Sequence, residues 1–185
     1  MSHRHRVAPL LLASWLIALT CCLMCGGGAA AAGDPPPPYQ VHWPKGWEVT
    51  SSPTPTRSLN GERIRVQRME NGKIAAAIEL TWFPRRSEKT TSDMIFTGML
   101  KDLQEVYQSK GLTAKVTGPR PSSLGSHSGQ EAEVAVTGRG VALRQWYGMA
   151  LSDRYIFSLS YTAQEANYDR YREAFEQTRR SLVLK

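Results

Sequence analysis

Along this chain the spacing of hydrophobic positions switches between two periods, and each switch predicts an element. From Glu62 to Phe83 apolar and polar residues alternate around Asn71-Gly72, with Ile64 and Val66 before the dipeptide and Ile74, Ala76, Ile78, Leu80 and Trp82 after it. Period two interrupted by a turn dipeptide predicts a β-hairpin. A three-residue loop, Glu70-Asn71-Gly72, is expected there. It sets Ile64 against Ile78, Val66 against Ala76 and Arg63 against Glu79, so the apolar residues share one face. Thr91–Lys110 then takes helical spacing, with Ile95, Met99, Leu103, Val106 and Tyr107 as the expected buried stripe. Ser92 is the expected cap and Gly111 the left-handed stop. Leu112–Thr117 reads as a short strand. Gly118–Gly129, GPRPSSLGSHSG, is irregular by composition and the expected place for a functional loop.

From Gln130 the pattern is a three-stranded meander. A turn at Gly138-Arg139 would pair Val136 with Val141 and Val134 with Leu143. A three-residue loop, Ser152-Asp153-Arg154, would pair Met149 with Phe157 and Tyr147 with Leu159. Together these registers gather Val134, Val136, Leu143, Tyr147, Met149, Leu151, Phe157, Leu159 and Tyr161 on a single face, the expected core. The other face holds Arg144, Trp146, Ala150, Ile156, Ser158 and Ser160 and is mixed. Gln164–Leu182 closes the chain as a helix with the stripe Tyr168, Tyr171, Phe175, Thr178 and Leu182, and Glu176 and Arg180 are placed as an i,i+4 pair. Val141–Lys185 is therefore the stretch that specifies the fold. Upstream, Trp43 and Trp47 bracket a Pro-Lys-Gly turn and are expected to anchor a leading strand to the core. Ser51–Gly61 is a loop by composition.

The N-terminus is organised differently. Arg4 and Arg6 precede an apolar run, Val7–Met24, and a small-residue tail ends at Gly33, which is the pattern of a secretory signal peptide cleaved near Ala32–Gly33. The expected organisation is a signal peptide at 1–33, a Pro-rich tether at 34–41 opening with Asp-Pro-Pro-Pro-Pro, and a single α+β domain at 42–185. This implies a periplasmic protein with no membrane span after cleavage. Cys21, Cys22 and Cys25 all lie within the signal region, so the exported chain has neither disulfides nor thiolate chemistry. The residues before Cys22 and Cys25 match a lipobox poorly, which disfavours a lipid anchor. Removing residues 1–33 takes away two arginines and no acid, lowering the formal charge from +7 to +5. In an exported protein that balance suits an envelope protein or an anionic envelope polymer as partner. Nucleic acid does not fit, because the basic residues are scattered.

Two stretches resemble the PsbP-like fold family: WPKGW (Trp43–Trp47), and YIFSLSYTAQEANYDRYREAFEQTRRSL (Tyr155–Leu182) with its aromatic last strand and Phe-centred helix. The resemblance implies an α+β fold, an antiparallel β-sheet of about six strands flanked by helices in an α/β/α sandwich. It implies a bacterial exported family of unknown function and carries no catalytic residue.

Chemistry is sparse. His42 and His127, the two histidines after the signal region, sit in unrelated segments, and Met69, Met94, Met99 and Met149 form no Met-x-x-Met array. Gly125-Ser126-His127-Ser128-Gly129 echoes a nucleophile elbow with histidine where serine belongs. Glu131 and Glu133 alternate outward and read as a solvated face, and Arg85-Arg86 and Arg179-Arg180 as surface doublets. No catalytic, cofactor or metal residue is assigned. His127, Arg144, Trp146 and Trp43 are the candidate ligand or partner surface. The expected function is a non-catalytic binding or accessory module of the envelope, with a small-ligand enzyme or hydrolase at 118–129, or a periplasmic copper binder, as alternatives.

Overall fold

The computed structural model describes residues 37–51 and 61–185. The expected signal peptide, the start of the tether and residues 52–60 of the loop lie outside them. Nine strands and two helices follow in order: β1 (Tyr39–Gln40), β2 (Glu48–Ser51), β3 (Glu62–Glu70), β4 (Lys73–Pro84), α1 (Ser92–Ser109), β5 (Thr113–Leu124), β6 (His127–Gly138), β7 (Val141–Leu151), β8 (Tyr155–Gln164), α2 (Tyr168–Ser181) and β9 (Val183–Leu184). A 3-10 turn, Glu165–Asn167, leads into α2. Seven strands form one antiparallel sheet in the order β2-β3-β4-β8-β7-β6-β5. Tyr39 and Gln40, assigned to the tether by sequence, instead pair with Leu184 and Val183 of β9. The Tyr39 ring packs 4.8 Å from that of Trp82.

Both sheet faces are apolar, each under its own helix. α1 lies over β5, β6 and β7, where Phe96, Leu100 and Tyr107 meet Ala132, Val134, Val136 and Met149. α2 lies over β8 and β4, where Tyr168, Tyr171 and Phe175 meet Ile78, Leu80, Trp146, Phe157, Leu159 and Tyr161. Phe175 stacks on Tyr161 at 5.0 Å, and the Tyr161 hydroxyl donates to the Tyr168 carbonyl at 2.7 Å.

Turn lengths explain the departures from expectation. The first hairpin turns on two residues, Asn71-Gly72, both at positive φ, and a bulge follows at Ala75. The bulge supplies the one-residue shift assigned above to a longer loop. Ile64 therefore opposes Leu80, Val66 opposes Ile78 and Arg65 opposes Glu79, two places along from the expected partners but with the same facing. At the β6–β7 turn the two residues between the last pair, Gly138 and Val141, are Arg139 and Gly140, both at positive φ, so Val136 pairs with Leu143 rather than Val141. Facing again survives. The β7–β8 turn does not preserve it. Ser152 and Tyr155 face each other across Asp153-Arg154, with the Tyr155 amide donating to the Ser152 hydroxyl at 3.1 Å. Ala150 consequently pairs with Phe157 and Trp146 with Tyr161. Because side chains alternate with period two, that single residue divides the expected core between two faces. Val134, Val136, Leu143, Tyr147, Met149 and Leu151 go under α1, and Phe157, Leu159 and Tyr161 go under α2.

Three further expectations are corrected. Gly118–Gly129 is a β-hairpin tip rather than a loop, since β5 runs to Leu124 and β6 starts at His127, with a register shift between Thr117 and Arg120. Thr91, not Ser92, caps α1, its hydroxyl accepting from the Met94 amide at 3.3 Å. The buried stripe of α1 centres on Phe96 and Leu100, leaving Val106 48% exposed. The apolar arc of this helix is wide, and contact with β5 and β6 selects one side of it. In α2 the Tyr168, Tyr171, Phe175, Thr178 and Leu182 stripe is buried as expected. Arg180 pairs with Glu173 at 2.8 Å instead of Glu176.

Candidate functional site

The two helices cover different halves of their faces, so each face keeps an open portion. On the α1 face this portion is a cleft of about 650 Å³ between the helix and strands β4 and β8. Its floor follows from register. Cross-strand rows run Leu151–Ile156–Phe83, then Met149–Ser158–Thr81, then Tyr147–Ser160–Glu79. The floor thus passes from apolar to hydroxyl-bearing to acidic along the strands. Met94, Ile95, Gly98, Met99 and Asp102 form the helix wall. The N-terminal end of α1 stands at the apolar end, tied there by Arg85, whose guanidinium donates to the carbonyls of Glu88 and Thr90 at 2.8 and 3.1 Å and of Ser152 at 3.3 Å. Its C-terminal end reaches the row beyond Ser160, where the Tyr107 hydroxyl donates to Gln145 Oε1 at 2.9 Å. Asp102, about 12 Å along the helix from Met94, therefore stands at the polar end.

Two details mark the cleft as open by construction. Met94, on its rim, is 68% exposed. Gly98 occupies a helix interior, where glycine costs roughly 0.5–1 kcal/mol relative to alanine, yet a Cβ there would meet nothing within 4 Å. Packing does not require this glycine. At the polar end Glu79 lies 3.9 Å from Arg63 and 4.0 Å from Arg65, whereas Asp102 has no ion pair among the described residues. Burial, with smaller contributions from Tyr107 and Glu79, pushes the Tyr147 phenol up, so it stays protonated.

The uncovered part of the α2 face, over β5 and β6, is closed by charge. Glu131, 8% exposed, accepts from Ser122 Oγ at 2.6 Å, from Arg120 Nε at 2.8 Å and from Arg179 at 3.0 Å. Arg144 pairs with Glu133 at 3.0 Å and with Asp169 of α2 at 3.9 Å. Burial alone would raise the Glu131 carboxyl. The hydrogen bonds from Ser122 and Arg120 and the charges of Arg179 and Arg120 outweigh it and hold the group below the ordinary range. Glu131 is thus no solvated side chain, and Arg179 no surface charge. Together they fasten α2 to β5 and β6.

A family model described as "Domain of unknown function (DUF4946)" matches residues 38–184. The chain belongs to the DUF4946 family. No curated protein matches it in sequence. The solution structure of cyanobacterial PsbP (CyanoP) from Synechocystis sp. PCC 6803 is similar, with a TM-score of 0.59 at 12% identity, over 86% of this chain and 98% of that one. A crystal structure from Bacteroides thetaiotaomicron VPI-5482 is similar over 80% of this chain, with a TM-score of 0.52 at 8% identity. The chain spans less than half of that protein, 45% of its length. LpqN of Mycobacterium tuberculosis, described as involved in cell envelope biogenesis, gives a TM-score of 0.48 at 14% identity over 83% of this chain and 87% of its own. The DUF4946 domain therefore has the PsbP-like α+β fold.

The four residues expected as a binding surface in this DUF4946 domain do not meet at the cleft. Trp146 is 4% exposed, its ring between Phe175 at 4.9 Å and the Arg179 guanidinium at 4.6 Å. Arg144 lies over the Tyr168 ring at 4.4 Å. Trp43 is half-buried against the α2 core, and His127 is half-buried at the β5–β6 tip with Nδ1 3.4 Å from Ser126 Oγ. No residue lining the cleft belonged to that surface, Gly98, Ser158 and Ser160 included. Two sequence signals pointed to them: a glycine inside the helical stripe, and serines alternating with apolar residues through the last strand.

Proposed function

We propose that this DUF4946 domain is an exported, non-catalytic binding module of the bacterial envelope, periplasmic after removal of its leader, and that it takes its ligand in the cleft beneath α1. The observation that carries this reading is the cleft itself. A smaller, polar hollow of about 340 Å³ lies between the end of α2 and the β5–β6 tip, and the cleft beneath α1 is the larger and more apolar of the two, with a volume within the range of small-molecule sites. Support for export comes from the leader pattern and the proline tether. No helix among the described residues is long and apolar enough to cross a membrane. The acidic residues Glu131 and Glu133 on the opposite face are engaged by arginines, which suits a structural rather than a catalytic part. Fold similarity alone argues nothing about chemistry.

The reading is tested by replacing Met94 with a photo-crosslinking amino acid in the tagged full chain, expressed in an exporting host with parallel cell fractionation. The expected result is a discrete adduct from position 94 in the periplasmic fraction, and none from position 173 on the exposed side of α2. Equal labelling at both positions would overturn it. A second reading, soft-metal binding, is favoured by one observation. Three of the four methionines downstream of the leader, Met94, Met99 and Met149, line this same cleft. Thioethers suit Cu(I), and a calorimetric titration with Cu(I) that gives a flat trace removes it.

A further inference from the structure

We infer that the cleft selects a small amphiphile whose apolar body lies along the first floor row and whose head donates hydrogen bonds, a primary amine before a carboxylate. This rests on the cleft being the binding site, as proposed above, and adds the ligand's chemical class.

The argument begins with the polarity of the floor. Phe83, Pro84 and Ile156 at one end, roofed by Met94, offer apolar surface, with the exposed Arg86 also lining the cleft, and methionine conforms to tails of different shape. Ser158 and Ser160 follow in register, and the rows end at Glu79. A ligand that satisfies this floor is apolar at one end and polar at the other, and the order of the rows sets its direction.

The head is chosen by what the polar end lacks. Glu79 is already shared between Arg63 and Arg65. Asp102 stands on the helix wall across from Ser160 with no ion pair among the described residues. A carboxylate only accepts. An ammonium head would find a charge partner in Asp102 and acceptor oxygens in the serines, whereas a carboxylate head would face Asp102 as a like charge. Gly98 supplies the remaining piece. It lies one helical turn before Asp102 on the cleft side, and the absent side chain lets a ligand approach the helix backbone between head and tail.

The test uses the protein as secreted by an exporting host, titrated calorimetrically at pH 7 with decylamine and with decanoate, each below its micelle-forming concentration. Decylamine is expected to bind about two- to fivefold more tightly, a preference of the size that one ion pair to the exposed Asp102 supplies. Asp102→Asn should remove most of that preference while leaving decanoate affinity nearly unchanged. Gly98→Leu should abolish binding of both probes with the circular dichroism spectrum unchanged. Met94→Lys, at an exposed rim position over the apolar end, should weaken both probes and gives a second variant that does not disturb the core. Glu173→Gln on α2 should change nothing. If decanoate binds as tightly as decylamine and Gly98→Leu still abolishes both, the head selectivity is wrong and the cleft reading stands. If neither probe binds, or if binding ignores both Gly98→Leu and Met94→Lys, the cleft reading falls as well.

Discussion

Replacing Glu131 by glutamine asks whether the charged lattice on the α2 face contributes to folding or merely decorates it. The carboxylate is nearly buried and takes three donors, Ser122, Arg120 and Arg179. Charge-assisted hydrogen bonds contribute about 1.5–3 kcal/mol each before correction. Arg120, with its side chain 48% exposed, recovers most of its loss in water. The glutamine amide still accepts from one donor, but its NH₂ group is turned toward a guanidinium. Arg179 cannot escape as easily, because it is packed over Trp146. The net cost is about 2 kcal/mol at pH 7. In urea this moves the midpoint down by about 1 M, and in a thermal scan it lowers Tm by about 4–8 °C. The pH dependence carries the sharper test. The folded-state pKa of Glu131 lies below its unfolded value. The stabilisation is therefore complete above the ordinary glutamate range and is lost as pH falls through the folded-state value. Wild type should lose stability faster than Glu131→Gln on acidification, so that the gap between the two curves narrows as pH falls below the ordinary glutamate range. A constant gap from pH 7 to pH 3, or no gap at pH 7, would refute the reasoning.

Gly98→Ala should raise stability by roughly 0.5–1 kcal/mol, because it removes helix-interior glycine without creating a contact; urea titration would show the midpoint rising, and a fall would mean that the backbone there is not relaxed. Phe175→Ala removes the ring stacked on Tyr161 and packed against Trp146 and should cost about 3–5 kcal/mol, with near-ultraviolet dichroism lost before the far-ultraviolet signal. Gly148→Val would drive a side chain into the Trp146 indole, which lies across that glycine, and should destabilise by at least about 2 kcal/mol, while Ala142→Val, at an exposed position on the same strand, should be nearly silent.

What sequence alone determined were the elements and, for most of them, which residues face inward. The α2 stripe from Tyr168 to Leu182, the alternation in β4 from Ala76 to Trp82 and the left-handed stop at Gly111 are local patterns, and each is the same in the fold; only Ile74, beyond the bulge, leaves its expected face. Two hairpin registers were displaced by two places without consequence, because an even displacement keeps every side chain on its face. The β7–β8 turn differed by one residue, and that difference split one expected core into two. Nothing local distinguishes Ser152-Asp153-Arg154 as a three-residue loop from a two-residue Asp153-Arg154 turn. The choice is made by distant groups, since only one register puts Phe157, Leu159 and Tyr161 beneath Tyr168 and Phe175. The cleft belongs to the same category. It exists because α1 settles over β5 to β7 while α2 settles over β4 and β8, and this offset depends on how two helices far apart in sequence fill opposite faces of one sheet. Periodicity reports which side of an element is apolar; only packing decides which partner covers it and how much of it stays open.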